Sequence, residues 1–310
     1  MPAPRPFANF IRLLDPGSFA LVMATGIVSI AAAEHDLPRV ARLLLAVNAA
    51  AFVLLLVLSL LRLVRFRAEL VADFVNPARG AGFLTLVAAS CVLGNQFLVV
   101  APVPVLAAAL FAFGTTAWLA LSYLLFASAI TARRKPDLMS MLHGGWLVVV
   151  VATQAVSVLG TQLAGTNAVF AFLALTLFLL GAALYLLLIT LIVYRLLFFP
   201  FAARDFTPPY WINMGALAIT TLAGSLIVTH APAHGALAAT LPFVKGLTLF
   251  AWSIASWWIP LLVMLVAWRH FWHKVSFAYQ VADWNMVFPI GMYTVCTFEL
   301  DHALELGFLD

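Results

Sequence analysis

The chain has 310 residues, of which 65% are hydrophobic and only 9% are charged, and its net charge is +4 at pH 7. Soluble domains carry roughly 25% charged residues, so this composition excludes an ordinary soluble enzyme and indicates a polytopic helical membrane protein. The sequence has no Walker-type phosphate loop and no dinucleotide-binding glycine motif. We therefore predict no enzyme activity, no cofactor, no metal site and no nucleic-acid partner.

Apolar runs long enough to cross a hydrocarbon core of about 30 Å recur along the whole chain. The first opens at Asp15-Pro16, where a capping residue precedes a proline at the first helical position. Its end, Ile30–Glu34, also fits a signal-peptide cleavage site, which is the alternative interpretation of this run. We predict one transmembrane domain over residues 1–310 with nine spans, at residues 16–33, 40–64, 81–99, 104–130, 146–164, 169–197, 211–229, 247–270 and 284–300.

The basic residues orient these predicted spans. If every span crosses the bilayer, thirteen of the sixteen Lys and Arg residues lie on one side, and only Arg39, Arg42 and Lys245 lie on the other. Because loops rich in Lys and Arg stay in the cytoplasm, this split predicts a multi-pass protein of the inner (plasma) membrane with a cytoplasmic N-terminus.

The odd-numbered and even-numbered spans differ in composition. The sixth has twelve leucines between Phe170 and Leu197, whereas the fifth, from Trp146 to Leu163, has three. Small residues allow helices to approach closely, and leucine-rich faces suit contact with lipid. We expect the odd-numbered spans to be inner helices and the even-numbered spans to be outer helices.

The odd-numbered spans also resemble one another, since each begins with an aromatic residue: Phe19, Phe83, Trp146, Trp211 and Trp284. Four residues later come Met23, Val87, Val150, Gly215 and Phe288. Seven residues later come the small residues Gly26, Ser90, Thr153, Ala218 and Gly291. This pattern predicts five copies of a helical hairpin, although chance similarity among apolar segments is an alternative. The predicted repeats are approximately 16–64, 81–130, 146–197, 211–270 and an incomplete fifth at 284–310, which lacks its outer helix.

The ninth span contains an interior proline. Pro289 has no N–H, so the carbonyl of Asn285 loses its partner, and we expect a kink there. Such a freed carbonyl indicates a buried or water-lined position. Phe288 lies beside the kink and is the bulkiest of the five equivalent residues, which fits either packing or a pore constriction.

The odd-numbered spans carry no ionisable residue after their first aromatic residue until Glu299. A path between them would be neutral, and the basic residues at one end would favour anions. Glu299 is either an interfacial carboxylate or, with histidines near the span ends, a proton carrier.

The motif Pro16–Ile30, the hairpin repeats and the segment Trp284–Gly291 resemble the tellurite-resistance/C4-dicarboxylate transporter family, which includes slow-type anion channels. The resemblance implies ten helices in five hairpins around a pseudo-fivefold pore, of which nine are present here, and a homotrimer. It also implies a pore-blocking phenylalanine, which matches Phe288.

Two functions follow as hypotheses. The first is channel-like or facilitated transport of a small inorganic or organic anion across the lipid bilayer, with Phe288 as the pore gate. The second is proton-coupled transport of a C4-dicarboxylate, sulfite or tellurite-type oxyanion. For either function, the expected pore-lining residues are Met23, Gly26, Val87, Ser90, Val150, Thr153, Gly215, Ala218 and Gly291.

Overall fold

The computed structural model describes residues 6–133, 135, 141–230 and 235–309. Within these ranges every regular element is a helix. Eight helices are long and apolar enough to cross a membrane. A ninth long helix, Trp284–Leu304, contains Glu299 and Asp301 and falls outside that set. The prediction of an all-α polytopic membrane protein is confirmed.

The long helices alternate along the chain between buried and exposed ones. In the first four buried helices, 67–94% of the residues in the most apolar stretch are buried. In the exposed helices, only 22–33% of the residues in the corresponding stretch are buried. The exposed surface consists largely of Leu, Val and Phe side chains, as lipid contact requires. We call the buried ones the first to fifth inner helices: Ala20–Glu34, Thr85–Val99, Val148–Ala164, Ile212–His230 and Trp284–Leu304. We call the exposed ones the first to fourth outer helices: Pro38–Arg65, Pro104–Thr131, Ala168–Phe198 and Leu241–Ala267.

The inner helices form a closed ring. Each contacts the next one along the chain, and the fifth contacts the first. Each of the first four also contacts the outer helix that follows it. Buried hydroxyl groups join some of these pairs: Ser29 Oγ donates to the carbonyl of Ala41 at 2.7 Å, and Ser157 Oγ to that of Ala174 at 2.6 Å. The division of the chain into five repeats stays a prediction.

Each inner helix is preceded by a short 3₁₀ turn. The first turn follows Asp15, whose Oδ1 accepts a hydrogen bond from Gly17 N at 2.7 Å. The third follows His143, whose Nδ1 accepts one from Gly145 N at 3.0 Å. Side-chain acceptors therefore satisfy N–H groups that have no partner within the helix. The five turns are Pro16–Phe19, Gly80–Leu84, Gly144–Leu147, Pro208–Trp211 and Val281–Asp283.

The predicted spans agree with the helices to within a few residues, except at the fourth outer helix. This helix begins at Leu241, six residues before the predicted start at residue 247. The predicted span began after Lys245 because it was chosen for apolar residues. In the structure Lys245 is exposed near the start of the helix, and Pro242 lies in the first turn, where proline is favoured. The nine-residue helix Arg67–Val75 was not predicted, because it is too short to cross a membrane.

We call the end of the ring at which the inner helices begin the basic end. An ion-pair network lies there: Asp73 Oδ2 is 2.5 Å from Arg62 Nη2, and Asp73 Oδ1 is 3.0 Å from Arg79 Nε. It connects the first outer helix with the helix Arg67–Val75 and with the start of the second inner helix. Arg5 and Arg134, which entered the orientation prediction, lie outside the described residues, and the orientation stays a prediction.

Candidate functional site

A cavity of about 150 Å³ lies at the basic end, where the five inner helices begin. We call it the vestibule. Every inner helix contributes to its wall, either from the helix itself or from the 3₁₀ turn before it. Its lining residues are Asp15, Gly17, Ala78, Arg79, Ala81, Gly82, Thr85, His143, Gly145, Val148, Pro209, Ile212, Val281, Ala282 and Asn285. The vestibule is therefore the end of the axis that the ring encloses.

The charges of the vestibule are nearly balanced. Among the described residues that line it, Arg79 supplies the permanent positive charge and Asp15 the negative charge. Arg79 Nη2 is 3.7 Å from Asp15 Oδ2, and the two side chains are 39% and 52% exposed. This exposed pair is weak and screened by salt. Arg79 also pairs through Nε with Asp73 at 3.0 Å, so an incoming anion meets its Nη groups on the side of Asp15.

His143 is the titratable group of the vestibule. Burial lowers the pKa of His143 below its ordinary value of 6.5; a hydrogen bond to the backbone of Ala78 raises this pKa, and the positive charge of Arg195 lowers it. The net direction is downward, so the imidazole is neutral at pH 7. Because Nδ1 accepts the hydrogen bond from Gly145, the ring proton lies on Nε2.

Phe288 lies one helical turn deeper than Asn285, which lines the vestibule, and is 2% exposed. Contacts on its two flanks fix the direction in which it points. Next to it, Pro289 faces the fourth inner helix, since a Cβ on Gly215 would be 2.7 Å from Pro289 Cγ. On the other flank, a Cβ on Gly291 would be 2.8 Å from Ile27 Cγ2 of the first inner helix. Helical geometry directs Phe288 between these two neighbours, towards the axis of the ring.

The same reasoning applies to Met23 on the first inner helix. Gly26 packs against Val92 of the second inner helix, and Ile27 packs against Gly291 of the fifth. Met23 lies one turn before both and is 3% exposed, so it also points between two neighbours, towards the axis. Val87 and Val150, at the equivalent positions, are fully buried.

The small residues seven positions after each aromatic residue contact neighbouring helices. Thr153 Oγ1 accepts a hydrogen bond from Trp118 Nε1 of the second outer helix at 2.9 Å. Ser90 lies against Gly114 of that same helix, and Ala218 is fully buried. Gly26 and Gly291 lie at joints of the ring, as described above. Small side chains at these contacts permit close approach, and their part in lining a path stays a prediction.

Titratable groups also lie at the other end of the axis, and sequence reasoning found Glu299 but missed Glu34. We call this end the acidic end, where Glu34, Glu299 and His230 lie. Glu299 follows Phe288 by eleven residues, or three turns, so both occupy the same face of the fifth inner helix. Glu34 was overlooked because the apolar window of the first span ended before it. Its Oε2 is buried and has no hydrogen-bond partner.

No group of three or more metal-ligating side chains occurs in the part of the chain that the structure describes. The buried cysteines Cys91 and Cys296 are both free. Phe288, Met292 and Val295 form a buried apolar stripe along one face of the fifth inner helix.

A sequence model of the voltage-dependent anion channel family matches residues 14–310. The chain belongs to this family. Its membership, together with the eight apolar helices, makes it a membrane protein and indicates a transporter rather than an enzyme.

Several proteins are similar to this member of the voltage-dependent anion channel family. An uncharacterized membrane protein of Mycobacterium tuberculosis is 42% identical over 127 residues, which are 41% of this chain and 64% of that protein. The match thus spans less than two thirds of that relative. Two uncharacterized transporters of Methanocaldococcus jannaschii are 23% and 22% identical; the alignments cover 93% and 97% of this chain and 85% and 88% of theirs.

Proposed function

We propose that this protein carries small anions across the lipid bilayer along the axis of its five inner helices, and that Phe288 closes this path. The observation that carries the proposal is the position of Phe288. It lies one turn beyond the vestibule, points between two neighbouring inner helices and is 2% exposed. Family membership supports anion transport as the activity.

An apolar side chain suffices to close such a path. Beyond Phe288 the same face of the fifth inner helix continues with Met292 and Val295, which are both 1% exposed. Water and ions leave a narrow apolar constriction, so a phenylalanine blocks conduction without carrying a charge. Anions are favoured over cations by the basic residues at the vestibule end, which raise the local anion concentration.

The orientation and assembly belong to the same proposal. We place the basic end and the N-terminus in the cytoplasm, in a plasma membrane, because thirteen of the sixteen Lys and Arg residues group on that side. A homotrimer with one path in each protomer rests on the resemblance to the transporter family. Mass measurement of the detergent-solubilised protein would test the trimer.

Proton-coupled transport is the second candidate. It is favoured by Glu299, which lies on the face of the fifth inner helix that also carries Phe288 and is the first ionisable residue along it. On this alternative the substrate is a C4-dicarboxylate, sulfite or a tellurite-type oxyanion. Accumulation of substrate against its gradient, driven by a pH difference alone, distinguishes coupled transport from a channel.

The test compares the wild-type protein with the Phe288→Ala variant in planar bilayers. Removing the ring should raise anion conductance, and reversal potentials measured separately with chloride, nitrate, malate and sulfite should show selectivity over potassium. Phe172→Ala is the matched control, because Phe172 is 54% exposed on the third outer helix. An unchanged anion conductance in Phe288→Ala would contradict the gate, and a cation-selective current would contradict anion transport.

A further inference from the structure

The acidic end of the axis holds titratable groups from three adjacent inner helices. The first is Glu299 on the fifth inner helix. It lies about 16 Å along the helix axis from Phe288, three complete turns away. Because Phe288 points towards the axis of the ring, Glu299 points towards that axis as well.

Glu34, at the end of the first inner helix, joins Glu299. It lies seven residues, or two turns, after Ile27, which packs against Gly291 of the fifth inner helix. Glu34 therefore lies on the side of its helix that meets the fifth, and its charge interacts with that of Glu299. The ring of His35 lies 5.9 Å from that of Phe298, which brings the two helix ends together.

His230, at the end of the fourth inner helix, is the third group. It lies eighteen residues, or five complete turns, after Ile212, which lines the vestibule. His230 thus occupies the face of its helix that borders the axis, and its charge interacts with that of Glu299. Its Nδ1 lies 2.8 Å from the carbonyl oxygen of Leu226, so Nδ1, and not Nε2, makes the hydrogen bond to the backbone of its own helix.

Other charged groups also lie near this end. The carboxylate of Asp301 accepts hydrogen bonds from the backbone N–H groups of Gly307, Phe308 and Leu309. His302 interacts with Glu299 from the same helix and, like His230, is exposed. The remaining charged groups, on the surface of this end, are also exposed: His35, Asp36, Arg39, Arg42, Lys245 and Glu305.

We propose that Glu34 and Glu299, with His230 beside them, form a proton-binding site at the acidic end of the path, and that anions pass this end when the carboxyls have taken up protons. The inference rests on the proposed function. Two ionised carboxylates beside the axis repel an anion. Proton uptake by either carboxyl removes part of that repulsion.

The site gives the path a chemical asymmetry. At the vestibule the permanent charge of Arg79 attracts anions at any physiological pH, whereas at the acidic end protonation of the carboxyls removes negative charge. Anion flux should therefore increase when the solution facing the acidic end is acidified.

The experiment measures nitrate flux into proteoliposomes as a function of pH, in the Phe288→Ala background so that the gate is open. With Glu34 and Glu299 intact, flux should rise by roughly tenfold from neutral to acidic pH, the order of effect expected when charge beside the path is removed. With the two changes Glu34→Gln and Glu299→Gln, flux should be high at both pH values.

Glu69→Gln is the matched control, because Glu69 is exposed on the short helix at the basic end. Each single carboxyl variant is also tested, so that a misfolded double variant does not decide the outcome. In addition, the infrared carboxyl band that titrates in the wild-type protein should lose intensity in Glu299→Gln.

Two results would overturn the proposal. The first is a pH dependence of nitrate flux in the double variant equal to that of its parent. The second is a parent whose flux does not change with pH. If no variant, including Phe288→Ala alone, transports nitrate, the proposed function itself fails. Transport by Phe288→Ala without pH dependence contradicts the proton site alone.

Discussion

Gly215 and Pro289 lie in direct contact at the joint between the fourth and fifth inner helices, where a Cβ on Gly215 would be 2.7 Å from Pro289 Cγ and 3.1 Å from Pro289 Cα. A proline cannot yield at this joint as a flexible side chain would, because its ring is fixed to its own backbone. The contact therefore sets the distance between the two helices directly beside Phe288.

Gly215→Ala should destabilise the protein by about 1–3 kcal/mol, because the added methyl group forces the two helices apart. The measurement is the melting temperature in detergent. Gly246→Ala is the matched control, since a Cβ at Gly246 meets no atom within 4 Å. Equal melting temperatures for the two variants would show that the joint is looser than these distances indicate.

Asp15→Asn should raise anion conductance severalfold at low ionic strength, because it removes the carboxylate that lines the vestibule and leaves Asp73 alone to balance Arg62 and Arg79. The amide oxygen can still accept the hydrogen bond from Gly17 N, so the 3₁₀ turn is retained. The increase should shrink at high salt, where the charge is screened. Arg79→Gln should lower conductance, and Glu69→Gln, which removes a carboxylate outside the vestibule, should leave it unchanged.

Thr153→Val should destabilise the protein by about 1–2 kcal/mol, because the buried N–H of Trp118 loses its acceptor. Thr153→Ser keeps the hydroxyl group and should be close to wild type in melting temperature. If Thr153 serves only the contact between helices, anion selectivity will be the same in all three proteins. A change of selectivity in Thr153→Val would instead support its predicted place in the lining of the path.

The pKa of His143 predicts a loss of stability in acid. Since burial lowers this pKa, the unfolded chain binds a proton at a higher pH than the folded protein does. The stability that the neutral imidazole provides is present above pH 6.5 and is lost as the pH falls below that value towards the folded-state pKa. The melting temperature should therefore fall less on acidification in His143→Asn than in the wild type.

The control for this measurement is His273→Asn, which removes an exposed histidine. Its melting temperature should follow that of the wild type at every pH. An identical pH dependence of the wild type and His143→Asn would assign the acid sensitivity of the protein to other groups.

Composition and periodicity predicted the helical class of the fold and most helix ends. Each inner helix begins near an aromatic residue and has a small residue seven positions later. The small residues permit close packing, so their regular spacing was visible in the sequence. The network of Arg62, Asp73 and Arg79 could not be predicted, because its members come from separate elements that meet only in the tertiary structure.

The candidate site was predicted less completely. Phe288 stood out because no other inner helix has an aromatic residue at the equivalent position. Glu34 did not, since it lies where hydropathy marks the end of a span, and His230 was considered only among the histidines near the span ends. The face of the helix that each occupies becomes defined only when contacts such as Ile27 with Gly291 fix the rotation of the helices.

Closure of the ring constrains how the path can widen. Every inner helix has two neighbours within the ring, so moving one helix outward disturbs two joints, and a joint as tight as Gly215 with Pro289 resists such a displacement. Rotation of one phenylalanine side chain disturbs neither joint. Rotamer changes are also far faster than collective helix motions. If Phe288 is the gate as proposed, the architecture separates a stiff, slowly moving scaffold from a single fast degree of freedom, the rotation of that side chain.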